Sequence, residues 1–527
     1  MAASVRFTGG RIFTGSRYAE ALLFENGRIA AVGSAESVAR STPTGAEHVD
    51  LHGHLALPGL IDAHLHLPDL TEAREGLDVS EVRSLPQLLE RLEAWARDHP
   101  VGPIVGRGWS ADRLAERRSP TAVDLDRAVP DRPVFLKHAS GHAAVANRAA
   151  LELVGLDGPT PDPPGGRIGR EPDGTPNGLV FENALRRFDP LNLLAFAREP
   201  EAAVRTLNAL VALGLTGVAT LNLPPEGIEL MRRLDAAGVL PVRVWGYVSL
   251  ARWREISDTA LAAPPEGGRF RLLGGKAFLD GAFGPRTAWL SRPYADAPEE
   301  SGIATVVEAE LSEALDWCAD HALAPALHAI GDRAVAAAAA KLRPFRTETG
   351  PWPRIEHASL VPPEVLPELE RSRPALVVQP GFLWSDDWLG ARLGSERARW
   401  AYPFRTLEDR GYLLVGSSDA PYDPVDPWRG IRAAVHRRDP EGRSANPIPQ
   451  EALSEEEALR LYGAHAGLAL GVPRLGTLEV GAPADLIVVR GPTVAAAIRD
   501  GVDGLRASWL AGRPSVGAVL TDAPQTL

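Results

Sequence analysis

Two histidines separated by one residue, His64 and His66, at the end of an apolar stretch, could do metal chemistry. They end the stretch PGLIDAHLH at residues 58–66, in which apolar residues precede the pair. In a β-strand, side chains at positions i and i+2 point to the same face, so the two imidazoles are expected to converge. Imidazole is a good ligand for zinc and similar metals. The spacing predicts half of a metal site, although a packed histidine beside a solvated one would fit the same pattern.

Four further polar residues lie at the ends of apolar, strand-like stretches. They are Lys276, His328, His357 and Asp419, in LLGGKAFL (272–279), APALHA (324–329), RIEHA (354–358) and YLLVGSSD (412–419). A polar group embedded among apolar strand residues is costly to bury unless it has partners. The six residues together therefore predict one shared site.

Eight strand-like stretches, most of them separated by helical ones, would position these residues. The predicted strands are 60–66, 216–220, 242–247, 272–279, 324–329, 354–358, 375–379 and 412–419. Strands that alternate with helices indicate a parallel sheet, and eight of them predict a (β/α)₈ TIM barrel. Such barrels carry their chemistry at the C-terminal ends of the strands, where the six residues lie.

The two ends of the chain contain short strands and Gly-rich turns that could bury little alone. We expect residues 1–57 and 472–527 to form one small β-sandwich, with the barrel at 58–471. Residues 68–205 would be an insertion after the first barrel strand, with an amphipathic helix at 85–95. Its Pro- and Gly-rich part, Gly158 to Gly178, is predicted to be loop that could cover the active site. The predicted fold class is α/β, a distorted TIM barrel with a terminal sandwich and an insertion.

The ordered motifs resemble the amidohydrolase superfamily, specifically its amidohydrolase-3 branch, which includes N-substituted formamide deformylases. The matching motifs run through nearly the whole chain: PGLIDAHLH (58–66), SGH (140–142), GKAFLDG (275–281), HAIGDRA (328–334), IEHA (355–358) and GSSDAP (416–421). The resemblance implies a metal-bearing distorted barrel that hydrolyses a carbon–nitrogen bond of a small-molecule amide. The stretch AFGP (282–285) replaces the usual Ser-Leu-Gly-Ser and leaves the shape of the substrate pocket open.

The metal is expected to be one or two divalent cations. Neutral imidazoles of the four site histidines favour Zn²⁺, with Mn²⁺, Fe²⁺ or Co²⁺ as substitutes. Burial should lower the pKa of Lys276, so that its neutral amine can add CO₂. The carbamate would be an anionic bridge between two metals, as in binuclear relatives. The alternative for Lys276 is an ion pair with Asp280 or Glu182.

Two residues are candidates for catalysis. Metal binding lowers the pKa of water to ~7, and Asp419 would bind metal weakly, take the proton of the attacking water and pass it to the leaving nitrogen. A structural Asp419 that caps the next helix is the alternative. The resemblance suggests that His142, in the insertion, faces the substrate carbonyl, while a loop histidine with local hydrogen bonds remains the other interpretation.

Other side chains near these motifs are predicted to shape the pocket. The aromatic candidates for an apolar wall are Trp109, Phe283, Trp289 and Trp384, although aromatic residues of this kind more often belong to a core. Arg286 is expected to pair with a neighbouring carboxylate rather than to bind an anionic substrate group.

Composition excludes several function classes. The 527 residues carry a net charge of −12, which argues against nucleic-acid or anionic-membrane partners. The single cysteine, Cys318, excludes an intrachain disulfide and is expected to be a packed thiol. No apolar run approaches the ~20 residues of a membrane span, and no signal pattern opens the chain, so a cytoplasmic protein is expected.

The leading hypothesis is a metal-dependent hydrolase of carbon–nitrogen bonds other than peptide bonds, with an N-formyl or N-acyl amine as substrate. A deaminase or cyclic-amide hydrolase of the same superfamily is the alternative enzyme. In the deaminases compared, a catalytic Glu follows the strand-five histidine, whereas Ala329 follows His328. A scaffold or regulatory protein without catalysis is the third possibility, and a homo-oligomer stays open.

Overall fold

The centre of the molecule is a ring of eight parallel strands. The structure is a computed structural model that describes residues 4–158, 160–188, 200–263, 267–345 and 350–516. The barrel strands are Leu60–Leu65, Leu215–Leu223, Arg243–Ser249, Phe270–Phe278, Ala324–Ala329, Arg354–His357, Ala375–Val378 and Leu414–Gly416. They pair in chain order, and a parallel bridge between Leu65 and Ala420 joins the first strand to the end of the last. The predicted barrel is confirmed.

Helices lie around this ring, and most of them bury an apolar stripe against their neighbours. They are Pro200–Val211, Pro225–Ala236, Asp258–Leu261, Glu308–Asp320, Asp332–Leu342, Leu366–Ser372, Phe382–Ser385, Leu389–Ala398, Phe404–Asp409, Pro427–His436, Glu455–Leu461 and Ala464–Ala469. Cys318 is buried on one of them as a free thiol, as predicted. Among the helices of the described ranges, none has the length and apolarity needed to cross a membrane.

The two chain ends build a sandwich beside the barrel, as predicted. One sheet holds Val5–Thr8, Ala21–Glu25, Arg28–Gly33 and Glu47–Asp50; the other holds Arg11–Phe13, Tyr18–Ala19, Leu55–Pro58, Leu486–Val489, Leu505–Leu510 and Arg513–Val516. Phe7 packs edge-on against Phe24 and Trp509, at 5.0 Å from each, in the core between the sheets. Leu55–Pro58 leads directly into the first barrel strand and so anchors the stretch that carries His64. The limits of the predicted domains stay predictions.

The insertion is a folded layer with its own sheet. Its strands are Leu77–Asp78, Ile104–Trp109, Val134–His138, Ala143–Ala146, Gly166–Arg170 and Pro176–Glu182, and its helices are Leu67–Glu75, Leu85–Asp98, Ala122–Ala128 and Arg148–Leu153. The predicted helix at 85–95 is confirmed by Leu85–Asp98. The predicted loop from Gly158 to Gly178 is wrong in part, because its second half forms a hairpin. Proline at the start of a strand is tolerated, and alternate residues from Pro176 to Glu182 are buried.

Candidate active site

All six predicted metal-site residues lie together at the C-terminal mouth of the barrel. The Nε2 atoms of His64 and His66 are 3.3 Å apart, and they lie 3.1 and 3.2 Å from Oδ1 of Asp419. The ring of His357 is 5.1 Å from that of His64 and 4.4 Å from that of His328. Ligand atoms of His64, His357 and Asp419 all lie within 4.8 Å of one another. This spacing fits a small metal cluster.

Hydrogen bonds fix which ring nitrogen of each histidine is free. His64 donates from Nδ1 to Glu356 Oε2 at 2.6 Å, and His357 donates from Nδ1 to Gln379 Oε1 at 2.7 Å. His328 donates from Nε2 to the carbonyl of Gly281 at 3.1 Å. Because these oxygens only accept, the opposite nitrogen of each ring keeps its lone pair. Burial lowers the pKa of His328 and His357, so both rings are neutral, as metal ligands must be.

A carboxylate lies against two of these rings. Oδ1 of Asp419 is 3.1 Å from Nε2 of His64 and 3.2 Å from Nε2 of His66, a spacing that needs a proton or a cation between the atoms. Burial raises the pKa of Asp419, but His64 and His66 outweigh burial and keep it low. Within the part of the chain that the structure describes, Nδ1 of His328 and Oδ1 of Asp419 are buried without a hydrogen-bond partner. Buried polar atoms without partners are rare in proteins, and metal binding at this mouth would give such atoms a partner.

The backbone is strained where it presents two of these ligands. His357 has φ of 75° and Asp419 has φ of 59°, in the left-handed region that non-glycine residues seldom adopt. Such residues cost of order 1–3 kcal/mol each and persist where the surroundings enforce them. Asp62 enforces the conformation at Asp419: it accepts from the hydroxyl of Ser418 at 2.5 Å and from the backbone N–H groups of Ser418 and His64 at 3.1 Å. Burial raises the pKa of Asp62 to about 6.

Lys276 lies at the same mouth and makes no ion pair in the described part of the chain. Its side chain is 1% exposed, and its Nζ atom has no hydrogen-bond partner. Burial lowers the pKa of Lys276 to about 8. The alternative ion pair is not formed, because Asp280 accepts from the backbone of Trp289, Ile330 and Gly331 and Glu182 accepts from His142.

The insertion delivers His142 to the site. Nδ1 of His142 donates to Oε2 of Glu182 at 2.8 Å, and the ring lies 4.8 Å from that of His328. Burial disfavours the charged imidazole, but Glu182 outweighs it and raises the pKa of His142. A side chain at Gly281 would meet Oε1 of Glu182 at 2.0 Å, so this glycine permits the close approach. His142 therefore has a local hydrogen bond and also a place beside the metal-site residues.

Several residues that hold the site have no role in the sequence prediction. Glu356 orients His64 and is itself held by Arg354, which is fully buried inside the barrel. Arg354 outweighs burial and keeps the pKa of Glu356 far below its usual value. The sequence does contain a pattern that could have identified this pair. The charged residues at positions 354 and 356 alternate along a buried strand, so their side chains point to the same interior face. Gln379, at the end of the next strand, showed no comparable signal.

The predicted pocket residues separate into two groups. Phe283 and Trp384 line a cleft at the site. Trp109 is buried in the core of the insertion and donates to the carbonyl of Leu136 at 2.8 Å, whereas Trp289 stacks under Arg333. Arg286 pairs with Asp296 at 2.8 Å, as expected.

Comparison with known proteins agrees with the geometry. The sequence profile of the amidohydrolase family matches residues 47–516. The chain is 32% identical over 508 residues to YtcJ of Bacillus subtilis (strain 168), covering 92% of this chain and 93% of that protein. It is 31% identical over 493 residues to the N-substituted formamide deformylase of Arthrobacter pascens, covering 89% and 90%. The crystal structure of an uncharacterized metal-dependent hydrolase from Pyrococcus furiosus, 32% identical, superposes with a TM-score of 0.73 over 92% of this chain and 98% of that one.

Proposed function

Because the chain belongs to the amidohydrolase family, we propose that this hydrolase cleaves the carbon–nitrogen bond of a small-molecule amide, an N-acyl or N-formyl amine, with a divalent metal. The observation that carries the proposal is the convergence of His64, His357 and Asp419, whose ligand atoms lie within 4.8 Å of one another, together with the unpartnered Nδ1 of His328 and Oδ1 of Asp419 among the described residues. A divalent cation at this point would accept the imidazole lone pairs and the carboxylate oxygen together.

The metal would be held by His64, His66, His328, His357 and Asp419. Bound there, a divalent cation lowers the pKa of a water molecule and polarises the amide carbonyl. The nitrogen-rich donor set favours Zn²⁺, with Mn²⁺, Fe²⁺ or Co²⁺ as substitutes and one or two ions in the site.

We assign Lys276 as an additional ligand after it has reacted with CO₂. The neutral amine forms a bond to the carbon of CO₂ and releases a proton to solvent, which leaves an anionic carbamate. The described residues supply no hydrogen-bond partner for the amine of Lys276. The carbamate would instead bind the metal through its oxygens, so the buried group would no longer lack a partner. Its burial and lowered pKa both favour the neutral amine that the step requires.

The remaining chain residues move protons and orient the substrate. Asp419, ionised at neutral pH, accepts a proton from the attacking water and delivers it to the leaving nitrogen, which departs as an amine. Glu182 raises the pKa of His142, which favours the protonated ring that would donate a hydrogen bond to the carbonyl oxygen as negative charge develops there. Glu356 and Gln379 keep their histidines in the ligating tautomer.

The alternatives have weaker support. A deaminase would need a second proton-transfer group after His328, where this chain has Ala329. A scaffold would not need buried, unsatisfied ligand atoms, which cost stability without metal. A cytoplasmic location and a homo-oligomer stay predictions from the sequence.

Metal analysis and a screen of N-formyl and N-acyl amines for amine release test the proposal. We expect His328→Ala or Asp419→Asn to lower kcat by ~10³ or more, as loss of a ligand or of the proton carrier should. His321→Ala, at an exposed histidine outside the site, is the matched control. Near-normal turnover in either site variant, or purified protein that binds no transition metal, would contradict the proposal.

A further inference from the structure

The metal-site residues lie where two clefts meet. One cleft has a volume of about 560 Å³ and the other of about 930 Å³. Both are lined by the same set of junction residues, Ser140, His142, His357, Asp419 and Tyr422. A molecule bound at the junction therefore has open space on two sides.

The smaller cleft has an aliphatic wall. The aliphatic residues that line it include Leu250, Ala277, Val306, Leu311 and Ala314, and Phe278 is the one aromatic hydrocarbon side chain among the described residues of its lining. Two of its cations are paired with carboxylates, Lys137 with Asp69 and Glu72 and Arg252 with Glu226, while Lys276 lies at the metal-site end. The aliphatic part of this cleft therefore suits an uncharged aliphatic group.

The larger cleft has an aromatic wall. The rings that line it are Phe283, Phe382, Trp384, Trp388 and Tyr402. The indole Nε1 of Trp384 is buried there without an acceptor. Rings of this kind pack well against another aromatic group, edge to face or offset.

An amide has one substituent on each side of its scissile bond, and a secondary amide holds the two in trans, so they point away from each other. With the bond at the junction, one substituent enters each cleft. We infer that the substrate is a secondary amide with a sizeable group on both sides, an aliphatic one in the smaller cleft and an aromatic one in the larger. The inference rests on the proposed function and favours N-acyl over N-formyl amines, because a formyl group would leave one cleft empty.

Two substitutions narrow the clefts separately. Val306→Trp adds bulk to the smaller cleft from a half-buried loop position. Gly284→Phe adds bulk to the larger cleft, where a Cβ at residue 284 would lie 3.6 Å from Trp388 and 3.7 Å from His138, in ordinary contact. Val306→Ala and Gly284→Ala are the matched controls, and neither position belongs to the metal site.

The test compares N-(2-phenylethyl)hexanamide, which has both groups, with N-(2-phenylethyl)formamide, which keeps only the phenyl group on nitrogen, and N-methylhexanamide, which keeps only the aliphatic acyl chain. We expect kcat/KM of the zinc-loaded wild-type enzyme to be ~10-fold or more higher for the two-sided amide. Val306→Trp should lower it ~10-fold for the two hexanamides only, and Gly284→Phe should do so for the two phenylethyl amides only. One-sided amides that react as fast as the two-sided amide, or two variants that impair the same amides, would overturn the inference.

Binding of substrate fragments distinguishes failure of the two-cleft inference from failure of the proposed function. In calorimetry on the zinc-loaded protein, hexanoate and 2-phenylethylamine should bind together, with Val306→Trp weakening only the first and Gly284→Phe only the second. Independent binding without turnover of any amide would refute the proposed function but leave the two subsites standing. Mutual exclusion of the two fragments would overturn the subsites even in an active enzyme.

Discussion

Two buried lysines line the same cleft in opposite electrostatic states. Lys137, on the sheet of the insertion, donates to Asp69 at 2.8 Å and to Glu72 at 2.9 Å. Among the described residues, Nζ of Lys276, at the mouth of the barrel, has no hydrogen-bond partner and lies 4.6 Å from the centre of the Phe278 ring. Burial disfavours the charge on both, but the two carboxylates outweigh it at Lys137 and raise its pKa, whereas the pKa of Lys276 falls to about 8.

The contrast indicates a structural role for Lys137 and a chemical role for Lys276. The chain has only three lysines among its 56 basic residues, and two of them lie in this cleft. Lys137 joins the sheet of the insertion to the insertion's first helix, Leu67–Glu75, which follows His66, so its charge ties that sheet to the edge of the site. Lys276 makes no such ion pair with any described residue. A buried amine without a counter-ion is poised for chemistry, which an arginine could not supply because its guanidinium stays protonated.

The largest expected effect is the loss of activity on substitution of Lys276. Lys276→Met should lower kcat by ~10³ or more, as removal of a metal-site residue does, and should lower the content of bound metal. The unfolding free energy of the metal-free protein should stay the same or rise, because an unpaired buried ammonium is removed. Turnover assays, metal analysis and urea unfolding measure the three quantities, with Lys341→Met as the control outside the cleft. Full activity in Lys276→Met would contradict a chemical role for Lys276 and so the proposed difference in role between the two lysines.

Lys137→Met should lower the unfolding free energy and leave the content of bound metal unchanged, the opposite of Lys276→Met. It leaves Asp69 and Glu72 without their cation, and breaking such a pair costs about 3 kcal/mol, at the low end because both carboxylates are partly open to the cleft. Since the folded pKa of Lys137 is above its ordinary 10.5, this stabilisation is present throughout the range below that pH and is lost only as the pH rises through the folded value. Urea unfolding of both proteins at neutral and at mildly alkaline pH measures it, and equal stability at neutral pH would contradict a structural role.

The sequence predicted one of these lysines and not the other, for a physical reason. Lys276 ends a barrel strand, and strand periodicity with barrel geometry is enough to bring it to His328 and His357. The environment of Lys137 depends on a contact between a helix at 67–75 and a sheet of the insertion, and no local pattern encodes that contact. The prediction of a loop from Gly158 to Gly178 was wrong in part for a related reason. The strand pairing that forms the hairpin determines the conformation there, and the Pro- and Gly-rich composition does not reveal that pairing.

A smaller effect is expected at Glu182, which also belongs to the insertion. Glu182→Gln keeps the shape of the side chain but removes the charge that raises the pKa of His142. We expect kcat to fall ~10–100-fold, as for other residues that orient a site group, while metal content stays constant. Glu171→Gln, at an exposed position in the turn of the same hairpin, is the control. A change in metal content without a change in kcat would mean that Glu182 serves the metal site and not His142.

The smallest expected effect is a pH dependence that belongs to Lys276 alone. Only its neutral amine adds CO₂, and with a pKa of about 8 the neutral fraction rises about tenfold between about pH 7 and about pH 9. The rate at which metal-free protein regains activity in Zn²⁺ and bicarbonate should rise by the same factor, and Lys276→Arg should not regain it at either pH. The unfolded chain keeps this lysine protonated up to its ordinary 10.5, so the metal-free protein should also become more stable as the pH rises above about 8, with no such rise in Lys276→Met. Reactivation that is independent of pH and of bicarbonate would mean that Lys276 acts as a plain amine and not as a carbamate.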